Sequence, residues 1–205
     1  MDIVVGKKKD LDRAQLAALG RYRYRVFVDT LGWELGCEPG AEVDQFDHDD
    51  ALYLIAHGAS GGVVGCARLL PTVQPYLLGE VFPQLLSGER LPGAADTWEL
   101  SRFAALDLDQ PAQGPQQFSS LIAVELLQAV LRVAAGLGAR RLITVSPLGV
   151  ERLLRRAGFG ARRAGPPLQA GAHWLFACWI DVPASTYTIG EVTQACGCRS
   201  MGYAA

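Results

Sequence analysis

Neither covalent nor metal staples are indicated by this chain of 205 residues. Its cysteines, Cys37, Cys66, Cys178, Cys196 and Cys198, are odd in number and lack paired C-x-x-C spacing, which argues for reduced thiols and against a disulfide framework or a zinc site. His48, His57 and His173 have no partner at ligand spacing, so no metal centre and no histidine-driven catalysis is expected. No long apolar run is free of polar residues. Phe118 to Ala135 is interrupted by Glu125, Gln128 and Arg132 at helical spacing, the pattern of a buried helix with one polar stripe and not of a membrane span. Met1 to Gly6 has no basic segment ahead of an apolar one, so the expectation is a cytoplasmic protein. No internal repeat is evident.

Net charge is also small. At −2, with 20% charged and 50% hydrophobic residues, the composition fits one globular domain over residues 1–205 and excludes a generic polyanion binder. The charges are unevenly placed. No Lys or Arg occurs between Val26 and Ala67, where Asp29, Glu34, Glu38, Glu42, Asp44, Asp47, Asp49 and Asp50 collect. Between Ala139 and Arg163 the order inverts, with Arg140, Arg141, Arg152, Arg155, Arg156, Arg162 and Arg163 against Glu151 alone. One region favours cations and the other anions. Nucleic acid is not the expected partner, since no recognised motif accompanies the basic patch.

What stands out is Thr97-Trp98-Glu99-Leu100-Ser101-Arg102-Phe103, a core-like strand carrying a carboxylate, a hydroxyl and a guanidinium. Unpaired burial of an ionised group costs several kcal/mol or more, so the run predicts a polar site cut into a sheet. Simple alternation puts Thr97, Glu99, Ser101 and Phe103 on one face and Trp98, Leu100 and Arg102 on the other.

Around it, Ile3 to Val5 reads as a strand, and Asp10 as the N-cap of a helix running to about Val28. Leu16, Leu19, Arg23, Val26 and Phe27 share one face of that helix. Gly32 to Asp50 reads as a long loop, of a length that is usually functional. Leu52 to Ala56 and Val63 to Leu70 form a hairpin across His57 to Gly62. Proline-punctuated chain with one short helix leads to the Glu99 strand, and the long helix follows. Then come a strand at Arg141 to Ser146 and a helix with Ser146 as cap and Pro147 at its first position. That helix buries Val150, Leu153, Leu154 and Ala157 and ends at Gly158. A last strand spans His173 to Asp181, and a loosely ordered tail follows from about Ser185. This order predicts a three-layer α/β/α sandwich around a mixed, mostly antiparallel sheet.

Arg23, Phe27, Trp33, Asp44, Asp47, Arg68, Glu99, Ser101 and Arg102 together form a signature that resembles the acyl-homoserine lactone synthase family, the LuxI-type autoinducer synthases. A signature spread over several elements is more specific than one short motif. The resemblance implies a fold like that of GNAT-type N-acyltransferases, in which two central strands, here Trp98 to Phe103 and Leu142 to Ser146, splay to admit a thioester's pantetheine arm. It also implies an enzyme that makes a quorum-sensing signal by N-acylating S-adenosylmethionine and closing the lactone with release of methylthioadenosine. No cofactor is implied, because S-adenosylmethionine and the acyl thioester are both substrates. The donor is expected to be a medium-chain acyl group on acyl carrier protein, with acyl-coenzyme A as the alternative.

Within that resemblance Glu99 is the general base, the alternative being an ion-pair partner of Arg68 or Arg102. Ser101 donates a hydrogen bond beside the thioester, and backbone N–H groups near Arg102 and Phe103 face the oxyanion. Arg23 and Arg102 suit the substrate carboxylate, Asp44 and Asp47 its amine and sulfonium, and Phe27 and Trp33 its adenosine or sulfonium. Arg68 either organises the site or pairs with one of those carboxylates, and Arg23, Asp44, Asp47 and Arg102 read alternatively as a purely structural salt-bridge cluster. Leu121, Leu142, Thr144, Val145, Leu148 and Phe176 are the expected acyl pocket, with Thr144 able to bond an oxygen at C3. Arg152, Arg155 and Arg156 suit the acidic helix of a carrier protein, or are an ordinary solvated face. The competing functions are an acyltransferase acting on another amine and a catalytically silent carrier-binding module.

Overall fold

The computed structural model describes residues 1–109 and 121–184. In chain order the elements are β1 (Asp2–Lys7), α1 (Arg13–Arg23), β2 (Leu52–His57), β3 (Val63–Pro71), α2 (Leu77–Val81), β4 (Thr97–Ala105), α3 (Leu121–Gly136), β5 (Arg141–Pro147), α4 (Val150–Arg156), β6 (Ala161–Arg163), β7 (Leu168–Ala170) and β8 (His173–Asp181). They form one sheet in the order β1-β2-β3-β4-β5-β8-β6, with β7 also paired to β8. Every pairing is antiparallel except β4 with β5. The expected beginning of the apolar run at Phe118 and the tail from Ser185 lie outside the described residues.

Period-two alternation gives the sheet two apolar faces. Leu54, Leu69, Leu100, Leu142 and Phe176 face Leu126, Leu127 and Val130 of α3 and Val150 and Leu154 of α4. Tyr53, Ile55, Leu70 and Ile143 face Leu19 and Tyr22 of α1 and Leu78 of α2. The result is the expected α/β/α sandwich. Burying each such leucine contributes about 1.5 to 3 kcal/mol, so the two faces hold the layers together.

Helix boundaries depart from the sequence expectations for local reasons. Lys8–Asp10 forms a 3-10 turn, and the N-cap of α1 is Asp12, not Asp10. Asp12 Oδ1 accepts from Gln15 N at 2.8 Å while Gln15 Oε1 accepts from Asp12 N at 3.0 Å, a reciprocal capping box. Beyond Arg23 the helix widens into a π turn, Tyr24–Thr30, that keeps Val26 and Phe27 buried. A second turn, the 3-10 segment Pro83–Leu86, follows α2. Ser146 and Pro147 remain in β5, so α4 starts at Val150 behind Gly149, whose φ of 95° needs a residue without Cβ. Val150 and Leu154 of α4 are buried, whereas Ala157 is exposed.

Two irregularities in the central strands shape everything that follows. Arg68 pairs with Ser101 and Cys66 with Ala104, so β4 uses one more residue than β3 across this interval: a bulge. Arg102, at φ 50°, sits inside it. The bulge breaks the simple alternation. Ser101 and Arg102 both turn to the α1 side, and Phe103, expected beside Glu99, packs on the α3 side. The other irregularity is a fork. β4 and β5 pair only at Thr97–Arg141, Trp98–Leu142 and Glu99–Ile143, although both strands continue. The expected splay therefore opens immediately after Glu99.

Because Asp12 carries the capping box, Asp12→Ala is expected to lower stability by about 1 kcal/mol, while Asp10→Ala stays within about 0.5. Urea midpoints at unchanged m-value measure this; equal shifts for the two would overturn the assignment of the cap.

Candidate active site

Three arginines and three carboxylates interlock on the α1 side of β3 and β4. Arg23, in the last turn of α1, holds Asp47 with both terminal nitrogens, at 2.8 and 3.0 Å, and Glu42 through Nε. Arg68, on β3 and 0% exposed, bonds Asp44 at 2.5 and 3.0 Å, Asp47 at 2.9 Å and Ser101 Oγ at 3.0 Å. Arg102 reaches Glu42 at 2.9 Å and Asp44 at 2.7 Å. Tyr53 Oη donates to Asp47 Oδ1 at 2.6 Å. The acids come from the long loop, which they also shape: Asp47 Oδ2 accepts the Asp44 N–H at 2.8 Å and Asp44 Oδ1 accepts the Phe46 N–H at 2.9 Å.

Balanced charge is what lets this cluster be buried. Burial alone raises the Asp47 pKa, yet Arg23, Arg68 and the Tyr53 hydroxyl more than offset it and hold the carboxyl well below its ordinary range. Burial likewise works against the charged form of Arg23, but Asp47 and Glu42 keep it protonated far above its ordinary value. An aromatic row borders the cluster. Arg102 lies over the Phe27 ring at 5.7 Å, Phe27 stacks on Trp33 at 5.2 Å between centroids, and Trp33 meets His173 at 6.2 Å.

Glu99 is treated differently by the fold. Fully buried, it forms no ion pair with Arg68 or Arg102; Oε2 accepts the Leu77 N–H at 3.0 Å and Oε1 the Leu78 N–H at 2.6 Å, at the start of α2. Desolvation pushes its pKa up to about 7, against the lowering effect of those amides and of the more distant Arg68 and Arg102. A carboxyl poised near neutrality at the base of a fork can take a proton from a bound amine and return it. Ser101, accepting from Arg68, keeps its own O–H for donation.

The remaining expected residues are more dispersed. Leu142 and Phe176 are buried on the α3 side, and Thr144 is buried with a long 3.4 Å contact from Oγ1 to Val145 O. Val145 packs on the opposite face, and Leu121, at the start of α3, is exposed. Leu148 is exposed too and lines a cleft of about 570 Å³ with Gly149, Glu151, Arg152, Arg155, Arg156 and Arg163. Within it Arg163 bonds Glu151 at 2.8 Å and Arg155 bonds Ala161 O at 2.8 Å. Sequence reasoning missed Glu42, Tyr53 and the Leu77 and Leu78 amides. For Glu42 a signal existed: three arginines in one cluster call for a third acid from the acidic stretch. No residue type announces a backbone amide.

Residues 7–188 match the family described as autoinducer synthase. The acyl-homoserine-lactone synthase of Acinetobacter nosocomialis is 50% identical over 183 residues, 89% of this chain and 100% of that protein. Among solved structures the chain is similar to TofI in a ternary complex with an inhibitor and MTA, at TM-score 0.78 and 41% identity over 97% of both chains. It is also similar to BjaI, a CoA-dependent acyl-homoserine lactone synthase solved with SAM and isopentyl-CoA, at TM-score 0.78 and 26% identity over 98% of this chain and 91% of that one. A Lactobacillus plantarum protein described as an N-acetyltransferase, 16% identical at TM-score 0.58 over 89% of this chain and 100% of its own, shows the fold alone.

Removing one acid from the cluster leaves a buried guanidinium short of its partner. Asp47→Asn is therefore expected to cost about 3 to 5 kcal/mol at neutral pH. Because the Asp47 pKa is depressed on folding, its stabilisation is present above the unfolded-state value near 4 and is lost as pH falls towards the folded value. Wild type should lose stability in that acid window more steeply than the variant; parallel curves in urea unfolding across pH 2.5 to 7 would overturn this account.

Proposed function

This chain belongs to the acyl-homoserine-lactone synthase family and is an acyltransferase of that kind, and from this premise we propose how its residues divide the reaction. The substrates are S-adenosylmethionine and a medium-chain acyl thioester carried by acyl carrier protein, with no cofactor. Starting from the neutral amine, Glu99 takes one proton from the nitrogen, directly or through one water, as that nitrogen bonds to the thioester carbonyl carbon. The tetrahedral oxyanion then collapses to the amide, the C–S bond breaks, and the leaving thiolate receives that same proton from Glu99. A carboxylate oxygen of the acylated methionyl group next attacks the carbon beside the sulfonium. That C–O bond forms as the C–S bond breaks, closing the lactone and expelling neutral methylthioadenosine.

The observation that carries this proposal is the place of Glu99: the last residue of β4 paired to β5, at the vertex of the fork, with a pKa of about 7. The thioester arm would enter the fork, its oxyanion facing backbone N–H groups near Arg102 and Phe103 and the Ser101 hydroxyl. Asp44 and Arg102, whose side chains are 19% and 7% exposed, form the accessible edge of the cluster and would meet the amine and carboxylate of S-adenosylmethionine, with Phe27 and Trp33 against its sulfonium or adenosine. Arg23, Asp47 and Arg68, saturated by one another, would hold that edge rigid. Leu142, Thr144 and Phe176, on the α3 side, would border the acyl chain, and the Thr144 hydroxyl would bond an oxygen at C3, whereas Val145 on the opposite face and the exposed Leu121 and Leu148 are not brought to it.

Arg152, Arg155 and Arg156 are exposed beside the cleft and would dock the acidic carrier protein. BjaI is CoA-dependent, and coenzyme A thioesters are the competing donors. Mass spectrometry of reactions with S-adenosylmethionine and acyl carrier protein or coenzyme A thioesters should show lactone and methylthioadenosine in equal amounts; methylthioadenosine absent with every donor would overturn the scheme. Replacing Arg152, Arg155 and Arg156 by alanine should raise KM for carrier-borne donors several-fold and leave coenzyme A donors unchanged. An equal effect on both would remove the docking role.

The activity of the wild type should rise with pH through a limb near 7 as Glu99 ionises. Glu99→Gln should abolish that limb and lower kcat by about 100-fold or more with little change in KM. A variant that keeps the limb would exclude Glu99 as the base.

A further inference from the structure

The two walls of the fork, parted along the strands beyond Glu99, are tied again on the α1 side by the segment that runs from α2 through the 3-10 turn Pro83–Leu86. Its start holds Glu99, on β4. Its end packs on the other wall, where Leu85 and Leu86 share an apolar cluster with Leu175 and Ala177 of β8. At that end lies Gly165, in the link between β6 and β7, which pair one after the other along the same edge of β8. A Cβ placed there would overlap the Leu85 carbonyl oxygen and lie 3.2 Å from Leu85 C and 3.4 Å from Leu86 Cα. All of these are backbone atoms, which cannot swing aside. Gly165 has no positive φ, so close approach and not conformational freedom demands glycine here. Nor can the link retreat easily, because the neighbouring Ala164 N–H is held by Ala177 O at 2.8 Å.

We propose that Gly165 is a positioning residue for Glu99: its missing side chain lets the Pro83–Leu86 turn seat against the β6–β7 link, and that seat fixes the Leu77 and Leu78 amides on the carboxylate. The path is short and stiff. Phe82 N bonds Leu78 O at 3.1 Å, Leu85 N bonds Phe82 O at 3.0 Å, and Leu78, Leu85 and Leu86 are all buried. A backbone displaced at Leu85 is coupled through these bonds to the start of α2. The inference rests on Glu99 as the base, and it gives the far wall of the fork a role in setting that base.

The groups facing Glu99 are the two α2 amides, Arg68 on β3, Arg102 on β4 and Tyr76 just before α2, with Ile143 of β5 opposite. Of these, the amides and Tyr76 belong to the seated segment, and Tyr76, its pKa raised to about 12 by burial, stays uncharged through the limb. Since both amides favour the ionised form, loosening them should shift the pH–activity limb upward by about one unit and reduce kcat at neutral pH. The experiment is the pH profile of kcat for Gly165→Ala with saturating S-adenosylmethionine and acyl thioester, beside wild type and Glu99→Gln, with thermal midpoints measured in parallel. An upward shift supports the proposal. A limb that stays in place or moves down, whatever the thermal midpoint does, overturns it. If Gly165→Ala does not fold, Leu85→Val, which loosens the seat without a backbone clash, is measured in the same way and must shift the limb upward; an unmoved limb again overturns the proposal. Should Glu99→Gln itself keep the limb, the assignment of the base fails and not the seat alone.

Discussion

Neutralising three buried guanidinium groups is the constraint on which the rest of the structure depends. Arg23, Arg68 and Arg102 enter from α1, β3 and β4, and none could be buried alone without a cost of several kcal/mol. Glu42, Asp44 and Asp47 must therefore come to them, and since all three lie in one stretch without regular structure, that stretch is drawn across the sheet and held there. Ordering of the loop, closure of α1 on the sheet and the position of Phe27 and Trp33 all follow from the same ion pairs. Replacement by apolar residues would be tolerated by a core; a rigid polar edge beside an aromatic row is what the charges add.

Arg102 shows how far the fold yields to that constraint. A non-glycine residue at φ 50° is strained by on the order of 1 to 3 kcal/mol. In exchange the bulge turns Ser101 and Arg102 to the same side, so that Arg68 finds the serine and two carboxylates find the second arginine. Glu99 lies only a few residues away, and its chemistry is opposite. Asp47, also buried, is kept ionised by guanidinium contacts, whereas Glu99 has only neutral amides at hydrogen-bond distance and is left with a pKa of about 7. Two buried carboxylates on one sheet face thus differ in function because one has a counter-ion at hydrogen-bond distance and the other does not.

The fork supplies the remaining element. Parallel pairing of β4 with β5 stops at Glu99, where an edge that would otherwise bond its neighbour is left available to a bound chain, and α2 with its 3-10 turn spans the opening on one face. Base, edge and opening therefore share one vertex. Some of this was legible in the residues. A polar run inside a core strand announced a site, the acidic stretch without Lys or Arg announced a loop bound by charge, and alternating strands and helices announced the α/β/α sandwich with its late strand and long helix. The departures were local competitions: Asp12 and Asp10 are both sound caps, and only reciprocal bonding with Gln15 chooses between them. Likewise the Ser146-Pro147 signal was overruled because both residues are held in β5 by Phe176 and Leu175 of β8.

By itself the sequence determined which charged and aromatic residues had to meet, since buried charge must be paired and an alternating strand must hide one face; this is also what carries its membership of the family. Tertiary structure alone decided who pairs with whom. Glu42 was drawn in because three arginines converge, and Phe103 changed faces because a bulge shifted the period. Glu99 escaped the ion pairs because the first amides of α2 reached it first. Each of these depends on distances between segments far apart in the chain, which periodicity and composition do not encode.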